Sequence, residues 1–204
     1  LKATMMKVSD PIMFGIVAMV GGPHWSNFSI HIDDDGEGGV APIVAASAGT
    51  MAAETFPGEE ISIRNLAAIV TITPEDRTDY VVEIDNTSGQ LPMPAVSADE
   101  DRVTIDGQLR GRVRDCGEAG SARVRGYGDE EFEAAELPHI TIRAPRTLRI
   151  YRGGAGTTEI GASETLNLDV RGCSTTNVAD VTGLLAVDVS GSGDINAGAA
   201  QTLN

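Results

Sequence analysis

The last sixty residues of the chain repeat with a period of 18 or 19 residues. Leucines stand at positions 148, 166, 185 and 203, and an apolar residue follows two positions after each of the first three. Apolar residues recurring at such a period are typical of a β-solenoid, in which coils stack about 4.8 Å apart and like residues lie on like. We therefore predict an all-β, single-stranded parallel β-helix (β-solenoid) with coils of 18–19 residues. The predicted core ladder consists of Leu148, Leu166, Leu185, Leu203, Ile150, Leu168 and Val187.

A glycine follows each apolar pair, at positions 154, 172 and 191. Glycine at a fixed place in every coil is expected where the chain turns a corner that a Cβ atom would crowd. The alternative is an antiparallel sandwich whose strands are evenly spaced by chance. Sandwich strands seldom keep residue-for-residue columns, so the repeat favours the solenoid. The predicted repeat turns are Gly154, Gly172, Gly191, Gly193 and Asp194.

The chain between Pro57 and the repeat consists of short alternating apolar runs separated by turn residues. Ile61–Ile63, Val103–Ile105 and Ile140–Ile142 are examples. No stretch here keeps the 3.6-residue period of a helix. This part of the chain is therefore also predicted to form strands, which extends the predicted β-helix to residues 58–204.

Two segments resemble a known family. The string Val187–Ile195, V-D-V-S-G-S-G-D-I, is similar to the repeat of the "putative auto-transporter adhesin head GIN domain" family, and Leu137–Pro145 resembles the strand that precedes those repeats. The likeness covers roughly Gly58–Asn204, although the coils at 154–159 and 172–177 depart from the S-G-S-G-D string. It implies a bacterial envelope protein with a β-helical body and no established activity.

The function that this resemblance implies is non-enzymatic. It would be an adhesin-like binding role or a surface-structural role, in a cell-envelope or secreted protein of a Gram-negative-type bacterium. The implied location is periplasmic, outer-membrane-associated or extracellular. The expected partners are a glycan or a protein at the cell surface, and the open C-terminal coil is expected to permit self-association, since an open stack exposes unpaired backbone.

The beginning of the chain differs in composition from the rest. Residues 1–23 contain both lysines and the apolar run Ile12–Val20, which is the pattern of a signal-like or anchor segment, although a buried strand or helix is the alternative. Residues 24–57 are predicted to form an acidic linker with a possible first strand at Phe28–Ile32. Residues 58–204 would be the β-helix, truncated at its C-terminal end or covered there by a partner.

A separate resemblance covers Leu1–Gly15, LKATMMKVSDPIMFG. This segment is similar to part of the monomeric NADP-dependent isocitrate dehydrogenases. Nothing after Gly15 resembles that much longer enzyme. A reading-frame artefact or chance explains the match, so no active site is transferred to this chain.

The charge balance limits the partners. Fifteen Lys and Arg against thirty Asp and Glu give a net charge of −15. Nucleic acids and anionic membranes need clustered positive charge, so neither is expected as a partner. The one basic concentration is the set of five arginines between Arg110 and Arg125, and it is predicted to pair with nearby carboxylates rather than to bind a polyanion.

The sequence predicts no catalytic, cofactor-binding or metal site. Asp194 is similar to the aspartate of calcium-binding β-roll turns, but the equivalent residues of the other coils are Thr157 and Thr175, so no carboxylate ladder forms. The acidic run at 33–37 lacks the rest of an EF-hand loop. The histidines at 24, 31 and 139 lack metal-ligand spacing.

A β-helical polysaccharide-active enzyme is the alternative function. Such an enzyme needs clustered carboxylates on the outer face of neighbouring coils. The outward candidates are Arg149, Asp169, Arg171 and Asp188. The column that begins at Arg149 continues with Asn167 and Ala186, so it supplies no carboxylate pair and the chain is expected not to be an enzyme.

Two further residues carry structural predictions. Cys116 and Cys173 are the only cysteines, and an exported chain would join them in a disulfide. The alternative is one buried and one exposed thiol. Arg152 occupies a column otherwise held by valines, and an unpaired buried arginine is costly. Its coil is therefore predicted to be an end coil, where that position is open to solvent or to another segment.

Overall fold

The computed structural model describes residues 42–117, 120–127 and 131–204. These residues form fifteen β-strands, one short 3-10 turn at Ala134–Glu136 and no α-helix. The strands are β1 Gly49–Phe56, β2 Glu60–Glu75, β3 Tyr80–Asn86, β4 Ala95–Ala98, β5 Arg102–Asp106, β6 Val113–Cys116, β7 Ala122–Val124, β8 Glu131–Phe132, β9 His139–Pro145, β10 Thr147–Ile160, β11 Thr165–Gly172, β12 Thr175–Val178, β13 Val181–Gly191, β14 Asp194–Ala197 and β15 Ala200–Leu203.

Twelve of the described strands form one mixed sheet, in which the long strands β2 and β10 are the hub. These two strands pair in parallel along most of their length. The first half of β2 pairs with β5, which in turn pairs with β4. The first half of β10 pairs with β11, and β13 and β15 follow in order. The second half of β2 pairs with β9, and β3 and β1 follow in order. The second half of β10 pairs with β12, which in turn pairs with β14. The buried side chains of the main apolar core come from the strands of this sheet.

The prediction of a single-stranded parallel β-helix is wrong. Three of the strand pairs in the sheet, β1–β3, β3–β9 and β4–β5, are antiparallel. The connection between β4 and β5 explains one of these pairs. Only the residues 99–101 separate the two strands. Paired parallel strands need a crossover of a dozen residues or more, so β4 and β5 form an antiparallel hairpin.

The repeated segment itself pairs in parallel and in the register of the leucine columns. Leu148 pairs with Leu166, and Leu166 pairs with Leu185. These three leucines are buried, as are Ile150 and Leu168 of the predicted ladder. Burial decreases towards the last strands of the repeat. Val187 of β13 is only partly buried, and Leu203 of β15 is 72% exposed.

Three stacked glycines lie where the pairing of β10 with β11 and of β11 with β13 ends. Gly154 pairs with Gly172, and Gly172 pairs with Gly191. All three have a positive φ, between 106° and 124°, which L side chains rarely adopt. A Cβ atom on Gly172 would lie 2.4 Å from the carbonyl oxygen of Gly154. Both the backbone conformation and the close stacking therefore require glycine here.

A small three-stranded sheet of β6, β7 and β8 covers a second apolar cluster. Its side chains meet Ala67 of β2 and Ala155 of β10. A disulfide joins Cys116 of β6 to Cys173, which lies between β11 and β12, with a Cα–Cα distance of 5.4 Å. The small sheet is thereby tied covalently to the repeated strands.

Several predicted features lie outside the described residues. They are the signal-like or anchor segment, the isocitrate dehydrogenase-like segment, the acidic run at 33–37 and the first 18 residues of the predicted linker, 24–41. The rest of the predicted linker contains β1, which pairs with β3 in the main sheet. Among the residues that the structure does describe, none belongs to a helix long and apolar enough to cross a membrane.

Tyr80 gives the fold a dependence on alkaline pH. Its side chain is fully buried, and its hydroxyl donates to the carbonyl oxygen of Glu59 at 3.3 Å. Burial, with a smaller contribution from the charge of Glu60, raises the pKa of Tyr80 to about 12 from an unfolded value of 10. A raised pKa means that the unfolded state loses its proton first, so stability is lost as the pH rises from 10 towards 12.

We therefore expect the free energy of unfolding of the wild type to fall between pH 10 and pH 12 by about 2 kcal/mol more than that of Tyr80→Phe. Urea unfolding of both proteins at several alkaline pH values measures this difference. Tyr127, whose pKa is also raised by burial, is present in both proteins and cancels. Parallel pH profiles for the two proteins would contradict the assignment.

Candidate binding site

A row of polar side chains crosses the outer face of five neighbouring strands. Successive side chains of a strand point to opposite faces, so residues two apart share a face. Ile61 of β2 pairs with Ile150 of β10, and both face the core. The residue that follows each of them therefore points outward. In strand order from β5 to β13 the row is Thr104, Ser62, Tyr151, Asp169 and Asp188.

A groove with a volume of about 430 Å³ lies over the middle of this row. We call it the Tyr151 groove, because Tyr151 supplies its one aromatic ring among side chains that are mostly charged or polar. Its ring presents a flat apolar surface, and the surrounding groups offer hydrogen-bond donors and acceptors. The lining residues are Glu60, Ser62, Arg64, Arg102, Arg149, Ile150, Tyr151, Asn167 and Asp169.

Arg171 and Asp169 hold one wall of the groove in place. The guanidinium of Arg171 donates from Nε and Nη2 to the two carboxylate oxygens of Asp169, at 3.1 and 3.2 Å. The same guanidinium lies 5.5 Å from the centre of the Tyr151 ring, in a cation–π arrangement. The hydrogen bond and the charge of Asp169 raise the pKa of Arg171, so the group stays positive. The ring and the charge are thus fixed relative to each other before any ligand arrives.

Three arginines line the Tyr151 groove itself, Arg64, Arg102 and Arg149, and they differ in their partners. Arg64 donates from Nε to Asp106 at 3.1 Å, and Arg102 donates to Glu60. Exposed pairs of this kind add little stability, so their main effect is to orient the side chains. Within the described part of the chain, Arg149 is exposed and has neither a hydrogen-bond nor an ion-pair partner.

A second groove, with a volume of about 470 Å³, adjoins the first and shares Tyr151 and Arg64 with it. We call it the glycine cleft, because its lining includes the stacked glycines 154, 172 and 191. Three arginines also line it, namely Arg64, Arg114 of the small sheet and Arg171. None of the described lining residues is acidic.

The outer face also brings two carboxylates together. Asp169 of β11 pairs in register with Asp188 of β13, so their side chains leave the same face from neighbouring strands. Alternation along the strands predicts that both residues face outward, but the column that begins at Arg149 contains no pair of carboxylates. The column two positions further along, which begins at Tyr151, would have revealed this pair.

Of the two alternatives predicted for Arg152, exposure to solvent is wrong, because another segment of the chain covers this position. The strand β2 continues the sheet beyond β10, and Arg152 is completely buried. Its guanidinium donates to Thr158 Oγ1 at 2.8 Å and to the carbonyl oxygens of Gly153 and Ala155 at 2.5 and 2.6 Å. These bonds offset part of the cost of burying the charge. Burial lowers the pKa of Arg152 to about 10, which leaves it protonated at neutral pH.

The remaining candidate residues lie apart from the grooves or do not form a site. Asp194 begins β14 and pairs with Thr175, while His139 is exposed on β9. In residues 42–117, 120–127 and 131–204, no group of three or more His, Cys, Asp or Glu side chains could hold a metal ion. Of the arginines between 110 and 125, Arg123 pairs with Asp115 and Glu131, at 3.8 and 3.2 Å.

Neither a protein-family model nor a curated protein matches the chain. A "putative cell adhesion protein" from Clostridium sporogenes has a structure that matches with a TM-score of 0.35 and 9% identity, over 78% of this chain and 98% of that one. A "putative adhesin" from Parabacteroides distasonis matches with a TM-score of 0.39 and 12% identity, over 79% of this chain and 71% of that one. At such low TM-scores these likenesses carry no argument about function, and the resemblance to the head GIN domain family stays a prediction.

Proposed function

We propose that this chain is a non-enzymatic, adhesin-like protein that binds a glycan in the Tyr151 groove. The observation that carries this proposal is the fixed arrangement of Tyr151, Arg171 and Asp169 on an open face of the sheet. A sugar ring has an apolar face made of C–H groups and a rim of hydroxyls. The tyrosine ring suits the first, and charged donors and acceptors around it suit the second.

A rigid platform also favours binding. Tyr151 stands on β10, which is paired on both sides, with β2 and with β11. Side chains held by sheet strands and by ion pairs lose little conformational freedom when a ligand binds, and this lowers the entropic cost of association. The groove is therefore suited to recognition without a conformational change.

We further propose a location outside the cytoplasm. The disulfide between Cys116 and Cys173 supports it, because disulfides persist in oxidising compartments and are rare where thiols are kept reduced. A cell-envelope or secreted protein would meet glycans there. The finer assignment, to the periplasm, the outer membrane or the extracellular space of a Gram-negative-type bacterium, rests on the family resemblance.

The binding proposal is tested with a panel of bacterial and plant polysaccharides, recording both retained binding and newly formed reducing or unsaturated ends. We expect binding without product. Tyr151→Ala should weaken binding about tenfold, because the contact between ring and sugar is lost. Thr73→Ala, at an exposed position on the second half of β2, is the control and should leave binding unchanged. Binding that survives Tyr151→Ala undiminished would contradict the proposed groove.

The pair formed by Asp169 and Asp188 favours a second candidate, a polysaccharide-active enzyme. Paired carboxylates are the groups that glycoside hydrolysis uses. Formation of new ends in the same assay would support this candidate and overturn the non-enzymatic proposal. Asp188→Asn should then abolish the product, since it removes one carboxylate of the pair and leaves the bond between Asp169 and Arg171 intact.

A self-stacking structural role is the third candidate. The sheet exposes apolar side chains on its last two strands, since Leu203 of β15 is 72% exposed and Val189 of β13 is 47% exposed. An edge strand such as β15 is a template for pairing with another strand. If the panel shows neither binding nor product, sedimentation of the wild type against a variant with a charged residue at position 203 decides whether this edge joins copies of the chain.

A further inference from the structure

The lining of the glycine cleft is rich in arginine, although the protein as a whole is strongly acidic. Three arginines line it, Arg64, Arg114 and Arg171, and no described carboxylate does. The whole chain has twice as many acidic as basic residues. A lining of this composition therefore runs against the overall balance, and the three arginines come from separate parts of the fold, β2, β6 and β11.

The floor of the cleft is open backbone. Gly172 and Gly191 are exposed and carry no side chain, so a ligand can approach the main chain closely between the arginines. The three stacked glycines extend over neighbouring strands, which makes the floor about 10 Å long. The Cys116–Cys173 disulfide fixes the small sheet, and with it the strand of Arg114, beside this floor.

Ion pairs orient the side chains of Arg64 and Arg171 but leave some of their N–H donors free for a ligand. Asp106 holds Nε of Arg64, whose side chain is 54% exposed, and Asp169 holds Nε and Nη2 of Arg171, whose side chain is 57% exposed. A guanidinium has five N–H donors, so each keeps donors for a ligand. Arginine binds carboxylates with two parallel hydrogen bonds where geometry allows, so a carboxylate is a suitable complement.

From this geometry we propose that the glycine cleft binds a carboxylate, and that the ligand of the adjoining Tyr151 groove is a glycan bearing uronate residues. This inference rests on the proposed glycan binding, because the two grooves share Tyr151 and Arg64.

The test compares glucuronoxylan, which carries scattered glucuronate on a neutral chain, with its carboxyl-reduced form. We expect the wild type to bind glucuronoxylan at least tenfold more tightly than the reduced form, as one charge-assisted contact predicts. The ratio of the affinity for glucuronoxylan to the affinity for the reduced form should fall below about threefold in Arg64→Gln and in Arg114→Gln. Arg143→Gln removes the same charge from an exposed position on β9 and should keep the full ratio.

The outcomes separate this inference from the proposed function. Equal binding of both forms, weakened by Tyr151→Ala, overturns carboxylate recognition and leaves glycan binding in place. The same conclusion follows if only neutral polysaccharides of the panel bind. Failure of every polysaccharide to bind overturns both proposals. Unfolding curves of the two arginine variants show whether a lost ratio reflects a lost fold.

Discussion

Gly172→Ala is expected to lower the free energy of unfolding by at least about 3 kcal/mol. Two effects add up at this position. The φ of +117° is a conformation that alanine adopts only under strain, and the new methyl group would lie 2.4 Å from the carbonyl oxygen of Gly154. That oxygen belongs to the backbone of a paired strand and also accepts a hydrogen bond from the amide of Cys173. It cannot move aside without breaking the corner of the sheet.

Gly111→Ala is the matched control for this substitution. Gly111 also has a positive φ, of +68°, but a Cβ atom there would meet nothing within 4 Å. It should therefore show the backbone strain alone, about 1 kcal/mol. Urea unfolding of both variants, with the wild type as reference, separates strain from collision. If Gly172→Ala costs no more than Gly111→Ala, the stacked corner does not require glycine for steric reasons.

The sequence predicted the repeated strands well in register because parallel pairing places like residues side by side. Leu148, Leu166 and Leu185 share a column for that reason, and the columns can be read from spacing alone. The glycine column follows from the same logic. What spacing cannot show is which strand lies next to the first repeat. The partner, β2, belongs to no repeat, so no similarity links Ile61 to Ile150.

The errors follow from that missing neighbour. Without β2 beside β10, the position of Arg152 looked like the open end of a stack, whereas its hydrogen bonds to Thr158 and to nearby carbonyl groups make burial tolerable. The run Ile61–Ile63 is predicted as a short strand, but it belongs to the 16-residue strand β2, which also contains the apolar run at 68–72. Asn65 lies inside β2 and takes a positive φ of 48°. This irregular residue interrupts the alternation, so the sequence does not show that the two runs form one strand.

The candidate site was only partly predictable from the sequence. Asp169, Arg171 and Asp188 were placed on the outer face correctly by alternation, as the strand register shows. Tyr151 was not singled out, because a lone tyrosine in a strand has no sequence signature of binding. Its role depends on Ser62 and Arg64, which come from a strand almost ninety residues earlier in the chain. Only the fold brings these groups together.

Reduction of the Cys116–Cys173 disulfide should lower the free energy of unfolding by about 3–4 kcal/mol. The bond closes a separation of 57 residues, so its loss returns considerable conformational freedom to the unfolded chain. Urea unfolding with and without a thiol reductant measures the change, and the intact mass confirms that two hydrogen atoms are gained. The double variant Cys116→Ala, Cys173→Ala is the control, since its unfolding curve should not respond to the reductant.

The loss should not be uniform over the molecule. The sheet of β6, β7 and β8 has only short strands, and besides the disulfide it is held to the hub strands by the second apolar cluster. Hydrogen exchange should therefore speed up first in residues 113–117 and 120–124 after reduction, while β10 and β11, paired on both sides, stay protected. Because Arg114 stands on that sheet, reduction should also weaken carboxylate recognition before it affects contacts made by Tyr151. Equal acceleration of exchange in β6 and β10 would show that the disulfide stabilises the whole fold rather than this attachment.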